Sequence, residues 1–389
     1  MKKILIFALA LLTILFIGRQ VFVPKMVERG FERMIDANIG ADRTADITDG
    51  LHVYICGAGS PLADPKRSGP CIAVLAGKKA FIFDAGTNGS QNLGPMGFPT
   101  GRVEEIFLTH LHSDHIDGLG QMLLGTWINS GRTAPTPVSG PIGTAQIVEG
   151  FNMAYQIDST YRTAHHGTKV ANPASFGATA REIDLSGGSK VVYNKDGVKI
   201  TAFNVSHAPV HPAFGYRVDY KDRSVAISGD TKYDPNIAIA AKDVDVLFHE
   251  ALNMEMVKTM QAAAKANGAK GLEKILFDIQ DYHTSPVDAA KTAKQAGAKA
   301  NGAKGLEKIL FDIQDYHTSP VDAAKTAKQA GANDLVLYHI VPMLPSDALI
   351  PLFLRGASDE FDGKITVSED GTIIRLPVDS DAIIYEHGL

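Results

Sequence analysis

From residue 51 onward, short apolar runs alternate with glycine-rich turns. His52 to Cys56, Cys71 to Leu75 and Lys79 to Phe83 are rich in β-branched and aromatic residues and close on Gly or Asp, which predicts strands. Val103 to Leu108, Val198 to Val205, Ser224 to Ile227, Val244 to Phe248 and Leu335 to Tyr338 continue the series. Gly118 to Gly188 reads as mixed helix and loop, with Trp127 and Tyr155 as packing anchors. Strands thus recur through residues 51–389, with helical stretches between them.

The N-terminus follows another pattern. Lys2 and Lys3 precede an unbroken apolar run from Ile4 to Ile17, the form of an export signal. The run is short against the roughly 20 residues of a spanning helix, but Val21 to Val23 can extend it. No small-x-small cleavage site follows, which favours an uncleaved membrane anchor over residues 1–24 above a cleaved signal peptide. Residues 25–50 read as a polar linker with a short amphipathic helix from Met26 to Ile39. The body is then expected outside the cytoplasm, in the periplasm or facing the exterior. There Cys56 and Cys71 form either a disulfide or two buried thiols, and both readings stay open.

Lys265–Ala298 reappears unchanged as Lys299–Ala332. Solenoid repeats drift and need three or more copies to bury a core. An identical pair points instead to a recent tandem duplication or an error in assembling the sequence. The unit reads as helix, then the loop Asp281-Tyr282-His283-Thr284-Ser285-Pro286, then a helix from Val287 to Ala296. Ser285 suits the helix cap and Pro286 its first turn.

A formal charge of −5 and a pI near 6.2 offer no global positive field, so no nucleic-acid partner is expected. Thirteen His against two Cys tilt any metal site toward imidazole and carboxylate ligands.

The chemistry concentrates in Thr109-His110-Leu111-His112-Ser113-Asp114-His115, at the end of the Val103–Leu108 strand. Alternate side chains of an extended segment face the same way, so His110 and His112 can grip one ion. Asp114 and His115 follow the turn into a helix near Ile116 and can reach a second. The other strands repeat the device: they end at His207, at Gly229-Asp230-Thr231, at His249-Glu250 and at His339. Ligands carried at the ends of a rigid sheet have the fixed geometry that a metal site requires.

The His-x-His-x-Asp-His cluster, followed by single His, Asp and His at strand ends, resembles the metallo-β-lactamase superfamily. Within it, the chain is similar to the ribonuclease Z and arylsulfatase-like branch from about His52 to His339. Supporting segments are Gly57-Ala58-Gly59-Ser60-Pro61, Phe83-Asp84-Ala85-Gly86, Phe214-Gly215-Tyr216-Arg217, His249-Glu250-Ala251 and His317-Thr318-Ser319. The resemblance implies a four-layer αββα sandwich and two metal ions, zinc above other divalent metals. It assigns His110, His112 and His207 to the first ion, and Asp114, His115 and His339 to the second, with Asp230 bridging them. It implies a metal-bridging hydroxide as the nucleophile, with Asp114 holding its proton. A His of the His-Thr-Ser loop, backed by Glu250, is implied as the general acid. The duplication offers His283 or His317 for that role, and direct continuity with the strand carrying His339 favours His317.

Other residues carry weaker signals. Asp84 is either a partner for a metal-bound His or a turn former. His211, His165 and His166 read as surface, and Arg217 as a structural ion-pair partner. Lys265 to Lys274 reads as a solvated helix face.

The expected substrate is a small or medium sulfate ester or phosphodiester. A lactonase or β-lactamase activity is the alternative, as is a non-catalytic metal-binding protein. A tRNA 3′-processing nuclease is disfavoured. Those enzymes carry a long arm between their Gly-Tyr-Arg and Gly-Asp-Thr segments, and only Val218 to Ser228 separates Arg217 from Gly229 here.

Overall fold

The structure, a computed structural model, describes residues 2–38, 40, 42–128, 130–268 and 317–389. It divides into residues 1–46 and residues 47–389. The first unit holds one helix, α1 (Lys2–Asn38), which continues through Pro24. A separate short helix starting at Met26 is therefore not seen. Proline costs a helix about 3 kcal/mol, but helix-forming residues on both sides sustain it. Among the described residues, no helix is long and apolar enough to cross a membrane.

The second unit begins with β1 (Gly50–Gly57), β2 (Cys71–Ala76) and β3 (Lys79–Phe83). The short helix α2 (Gly89–Leu93) leads to β4 (Val103–Phe107), α3 (Ser113–Ile116) and α4 (Leu119–Trp127). Next come β5 (Thr136–Gly140), the long helix α5 (Thr144–His166) and β6 (Ala178–Glu182). A second run of strands follows: β7 (Ser189–Lys195), β8 (Val198–Val205), β9 (Ala213–Tyr220) and β10 (Arg223–Ile227). After α6 (Pro235–Ala240) come β11 (Val246–Leu252), α7 (Met254–Ala266), α8 (Pro320–Ala330) and β12 (Asp334–Val341). The chain closes with α9 (Ile350–Phe353), β13 (Lys364–Val367), β14 (Thr372–Pro377) and β15 (Ile384–His387).

Two mixed sheets result, ordered β15-β14-β1-β2-β3-β4-β5-β6 and β13-β12-β11-β10-β9-β8-β7. Strand parity explains how they stack. Along β1, Leu51, Val53 and Ile55 enter the core shared with Phe214, Tyr216 and Phe248 of the other sheet. Tyr54 and Cys56 face the opposite way, toward Leu119 and Met122 of α4. In the second sheet, Phe248 and Val336 point between the sheets, while Leu247 and Leu335 meet Ala323 and Ala327 of α8. Each sheet is thus covered on both faces, which gives the expected αββα sandwich.

The expected strands form with small shifts at their ends, and Val198–Val205 and Lys79–Phe83 match residue for residue. Cys56 and Cys71 are joined as a disulfide. Trp127 is buried, whereas Tyr155 is only partly covered. Ser319 caps α8 by accepting the Asp322 amide, with Pro320 in the first turn. That is the arrangement expected for the repeated unit, seen in its second copy. His283 and the helix from Val287 lie outside the described residues.

The parallel pairings β3–β4, β10–β11 and β11–β12 bring their C-terminal ends to a common edge. Loops leaving that edge carry the ionisable residues.

Candidate metal centre

At this edge the ligand atoms of His110, His112, His207 and Asp230 all lie within 4.8 Å of one another. Those of Asp114, His115 and His339 form a second such group. One oxygen, Asp230 Oδ2, stands between them. It is 3.8 Å from both His110 Nε2 and His207 Nε2, and 3.3 Å from both His115 Nε2 and His339 Nε2. His339 Nε2 is also 3.4 Å from Asp114 Oδ2.

Local structure accounts for each placement. His112 is extended and caps α3, so the chain turns immediately afterward and Asp114 and His115 enter from the first helical turn. That turn needs Gly86, where a Cβ would lie 2.4 Å from the Asp114 carbonyl oxygen. Strict alternation along β12 would aim His339 at α8, as it does Leu335 and Leu337. A bulge intervenes: Tyr338 pairs with Glu250 and Ile340 with Ala251, leaving His339 as the extra residue at φ 47. Bulges re-aim side chains in this way.

A hydrogen-bonded relay sets the imidazole orientations. Asp84 accepts the Thr109 amide at 2.8 Å and the Thr109 hydroxyl at 2.8 Å. Its Oδ2 also accepts His115 Nδ1–H at 2.9 Å, leaving His115 Nε2 to face the cluster. With its proton committed to Asp84, Thr109 Oγ1 accepts from His110 Nδ1–H at 3.1 Å. Thr109 went unnoticed in the sequence, where only its place before the cluster marks it.

Charge balance within the cluster is uneven. Burial, together with neighbouring imidazoles, holds His110 well below its usual pKa. Burial also penalises charge on His115, but Asp230, Asp84 and Asp114 outweigh it and hold that imidazole well above. Burial likewise disfavours an ionised Asp230, yet His339, His115 and His110 hold its carboxyl well below the usual range.

Asp114 Oδ2, His115 Nε2, Asp230 Oδ1 and His339 Nε2 are buried without a hydrogen-bond partner among the described residues. Buried polar atoms left unsatisfied are costly. Their convergence, with nitrogen and oxygen donors only, fits divalent metal ions.

Parity along β11 sends Glu250 between the sheets and His249 toward the other face. Glu250 Oε2 lies 3.2 Å from His317 Nδ1, and the Thr318 amide donates to Glu250 Oε1. Burial pushes the Glu250 carboxyl well above its usual range and pulls His317 down to about 4. Burial thus disfavours the charged form of each partner. His317 also stands within ligand distance of Asp230 and His339. A cavity of about 500 Å³ opens beside Asp114, walled by Ser60 to Pro65, Arg67 to Gly69, Thr87, Asn88 and Asp117.

The remaining candidates lie elsewhere. His165, His166 and His211 are exposed. Arg217 pairs with Asp219 and donates to the Ala240 and Lys242 carbonyls. Lys265 lies exposed in the last turn of α7. The rest of that lysine stretch falls mainly outside the described residues.

Residues 80–340 match the family described as a beta-lactamase superfamily domain. A ribonuclease Z from Mycobacterium avium (strain 104) is 34% identical over 246 residues, covering 62% of this chain and 81% of that protein. A ribonuclease Z from Mycolicibacterium gilvum is 32% identical over 245 residues, covering 62% and 79%. Among solved structures, the human tRNase Z short form superposes with a TM-score of 0.54 at 20% identity, covering 84% of this chain and 100% of that one. The metallo-beta-lactamase fold protein YhfI from Bacillus subtilis does so at 0.54 and 14%, with the same coverage.

Relatives named for ribonuclease activity overturn the expectation that nucleic acid is not a partner. Net charge was a poor guide because it sums the whole surface, whereas a phosphate is recognised by the charges within a few ångströms of it.

Proposed function

The chain belongs to the metallo-β-lactamase superfamily, in its ribonuclease Z-like branch, and from that premise we propose that this metal-dependent hydrolase cleaves RNA phosphodiesters. The observation carrying the proposal is the pair of ligand groups around Asp230 with the Glu250–His317 pair beside them. In this reading His110, His112 and His207 would hold one zinc ion and Asp114, His115 and His339 the other, with Asp230 placed between the two groups. When bound, such ions supply Lewis acidity toward phosphoryl oxygens and a water acidic enough to ionise near neutral pH.

The chain's own groups supply the rest. Asp84 and Thr109 fix the His115 and His110 tautomers. Asp114 holds the proton of the attacking water. His317 keeps its Nδ1 toward Glu250 and presents its other nitrogen to the leaving oxygen, to which it gives a proton.

The β9–β10 connection turns at Lys221-Asp222, with Tyr220 paired to Arg223, so RNA is held without an arm at that position. The same tight turn favours a smaller phosphodiester or sulfate ester as the second reading. The Cys56–Cys71 disulfide supports an oxidising compartment, in keeping with export through the N-terminal segment. Fractionation of cells producing the full chain tests that part; recovery of the protein only with reduced thiols in the cytosolic fraction refutes it.

The activity test compares three substrates with zinc-loaded protein and with His110→Ala: a transfer RNA carrying a 3′ extension, bis-nitrophenyl phosphate and nitrophenyl sulfate. RNA cleavage that is lost in His110→Ala and with chelator is expected. Turnover of nitrophenyl sulfate alone would replace the proposal with sulfatase chemistry. Inactivity on all three, with metal bound, would direct attention to lactones and β-lactams, and failure there to a non-catalytic metal-binding role.

A further inference from the structure

Asp370 lies in the turn before β14, far from the ligand cluster in sequence and outside the residues so far given a role. Its carboxylate is a junction. Oδ1 accepts the Ala58 amide at 2.9 Å, and Oδ2 accepts the Ser68 amide at 2.8 Å and Asn92 Nδ2 at 2.9 Å. The Asp370 amide in turn donates to the Lys66 carbonyl, and the next amide, of Gly371, to Ile55. Both ends of the β1–β2 loop, residues 58–70, are thus held by a single side chain.

The consequence runs through Ala58. Its amide is fixed by Asp370, and its carbonyl accepts the Ile340 amide at 3.0 Å. Ile340 follows His339, the bulged residue whose φ of 47 turns its ring into the metal cluster. A non-glycine residue is sparsely found at positive φ and persists there when its surroundings over-determine it. The Ala58 peptide is such a surrounding, reaching across from the first sheet to the bulge in the second. The loop it belongs to also forms the wall of the cavity beside Asp114.

We propose that Asp370 is a positioning residue of the metal centre: by clamping the Ala58 peptide and the Ser68 end of the loop, it locks the bulge that aims His339. The inference rests on the two-metal reading above. It extends that reading to a carboxylate acting through backbone, with no contact of its own to an ion. Asp370→Asn is the sharp perturbation. One carboxylate oxygen becomes an NH2 that must face the Ala58 amide, or else the Ser68 amide and Asn92, so the clamp cannot close on both sides. The control is Leu376→Ala on β14, which opens the same intersheet core at the other end of β1, where Leu376 pairs with Leu51.

Full-length protein is examined for zinc affinity by chelator competition, for amide exchange at Ala58 and Ile340, and for kcat and KM on bis-nitrophenyl phosphate. In Asp370→Asn, one of the two ions is expected to bind about 10- to 100-fold more weakly, the range for groups that orient ligands. Exchange at both amides should quicken, and kcat should fall more than KM changes. Leu376→Ala should lose thermal stability with zinc affinity unchanged. Asn92→Ala, a milder change if Asp370→Asn does not fold, removes one donor to Asp370 along with a bond to the Cys56 carbonyl and should move the same readouts less. Wild-type zinc affinity in Asp370→Asn, or an equal loss in Leu376→Ala, overturns the proposal. If the wild-type protein binds fewer than two ions, the two-metal reading fails; quickened exchange at Ile340 would still uphold the clamp, and unchanged exchange would refute it.

Discussion

Replacing Asp84 with Asn isolates one interaction of the metal centre with little backbone disturbance. Asp84 sits at φ 58, a conformation Asn tolerates better than most residues, so the substitution adds little local strain. The side chain is buried and accepts three donors, two from Thr109 and one from His115. A carboxamide cannot serve all three. With its oxygen toward Thr109 Oγ1 and His115 Nδ1, its NH2 confronts the Thr109 amide, leaving buried donors unsatisfied at about 1–3 kcal/mol. With the amide group reversed, the Thr109 amide is satisfied, but NH2 faces His115 Nδ1. That arrangement relaxes only if His115 moves its proton to Nε2, the atom turned toward the ions. In metal-free protein either arrangement leaves a buried group of Thr109 or His115 without its partner, so the loss of stability should be about 1–3 kcal/mol. Metal loading must reverse the tautomer, and affinity at the ion held by His115 should fall about 10- to 100-fold. Chelator competition and urea unfolding, each with and without zinc, measure both quantities. An Asn variant matching wild type in zinc affinity and in metal-free stability would refute the assignment of Asp84 as the group orienting His115.

His317→Ala should lower turnover at saturating substrate by about 100- to 10,000-fold, as for loss of a general acid. Metal analysis should still find both ions; loss of an ion instead would mark His317 as a ligand, as its distance to Asp230 and His339 allows. Removing the disulfide with paired Cys56→Ser and Cys71→Ser substitutions, which release a sequence separation of 15, should cost about 3 kcal/mol in denaturant unfolding. An unchanged midpoint would mean that the pairing contributes nothing to stability. Burial pulls the His52 imidazole below its ordinary value of 6.5, opposed by the hydrogen bond it donates to the Thr48 carbonyl. The unfolded chain therefore takes up the proton first. His52's contribution is full above that value and is lost as the pH falls below it. His52→Gln should flatten the fall in unfolding midpoint between neutral and mildly acidic pH relative to wild type, and an identical slope would contradict the burial argument.

Much of the centre is legible in the amino-acid order because its signals are local. His110, His112, Asp114 and His115 fall within one strand end and one helical turn, so their spacing alone predicts convergence. Period-2 patterning marks the strands, and the side-chain chemistry at their ends marks His207, Asp230, Glu250 and His339. Ser319 followed by Pro320 announces the start of α8 by the same short-range logic. Tertiary structure decided what no local pattern encodes. Strict alternation would turn His339 away from the site; the bulge that corrects it depends on the Ala58 peptide in the other sheet, and Ala58 is held by Asp370 at a separation of 312 residues. The role of Asp84 was undecided between turn former and ligand partner until folding brought it 2.9 Å from His115. The Cys56–Cys71 bond was equally open until β1 and β2 paired. Patterns of polarity and spacing specify which way side chains point along one element. Which elements meet, and which buried groups then complete one another's hydrogen bonds, is settled only when distant segments share a core.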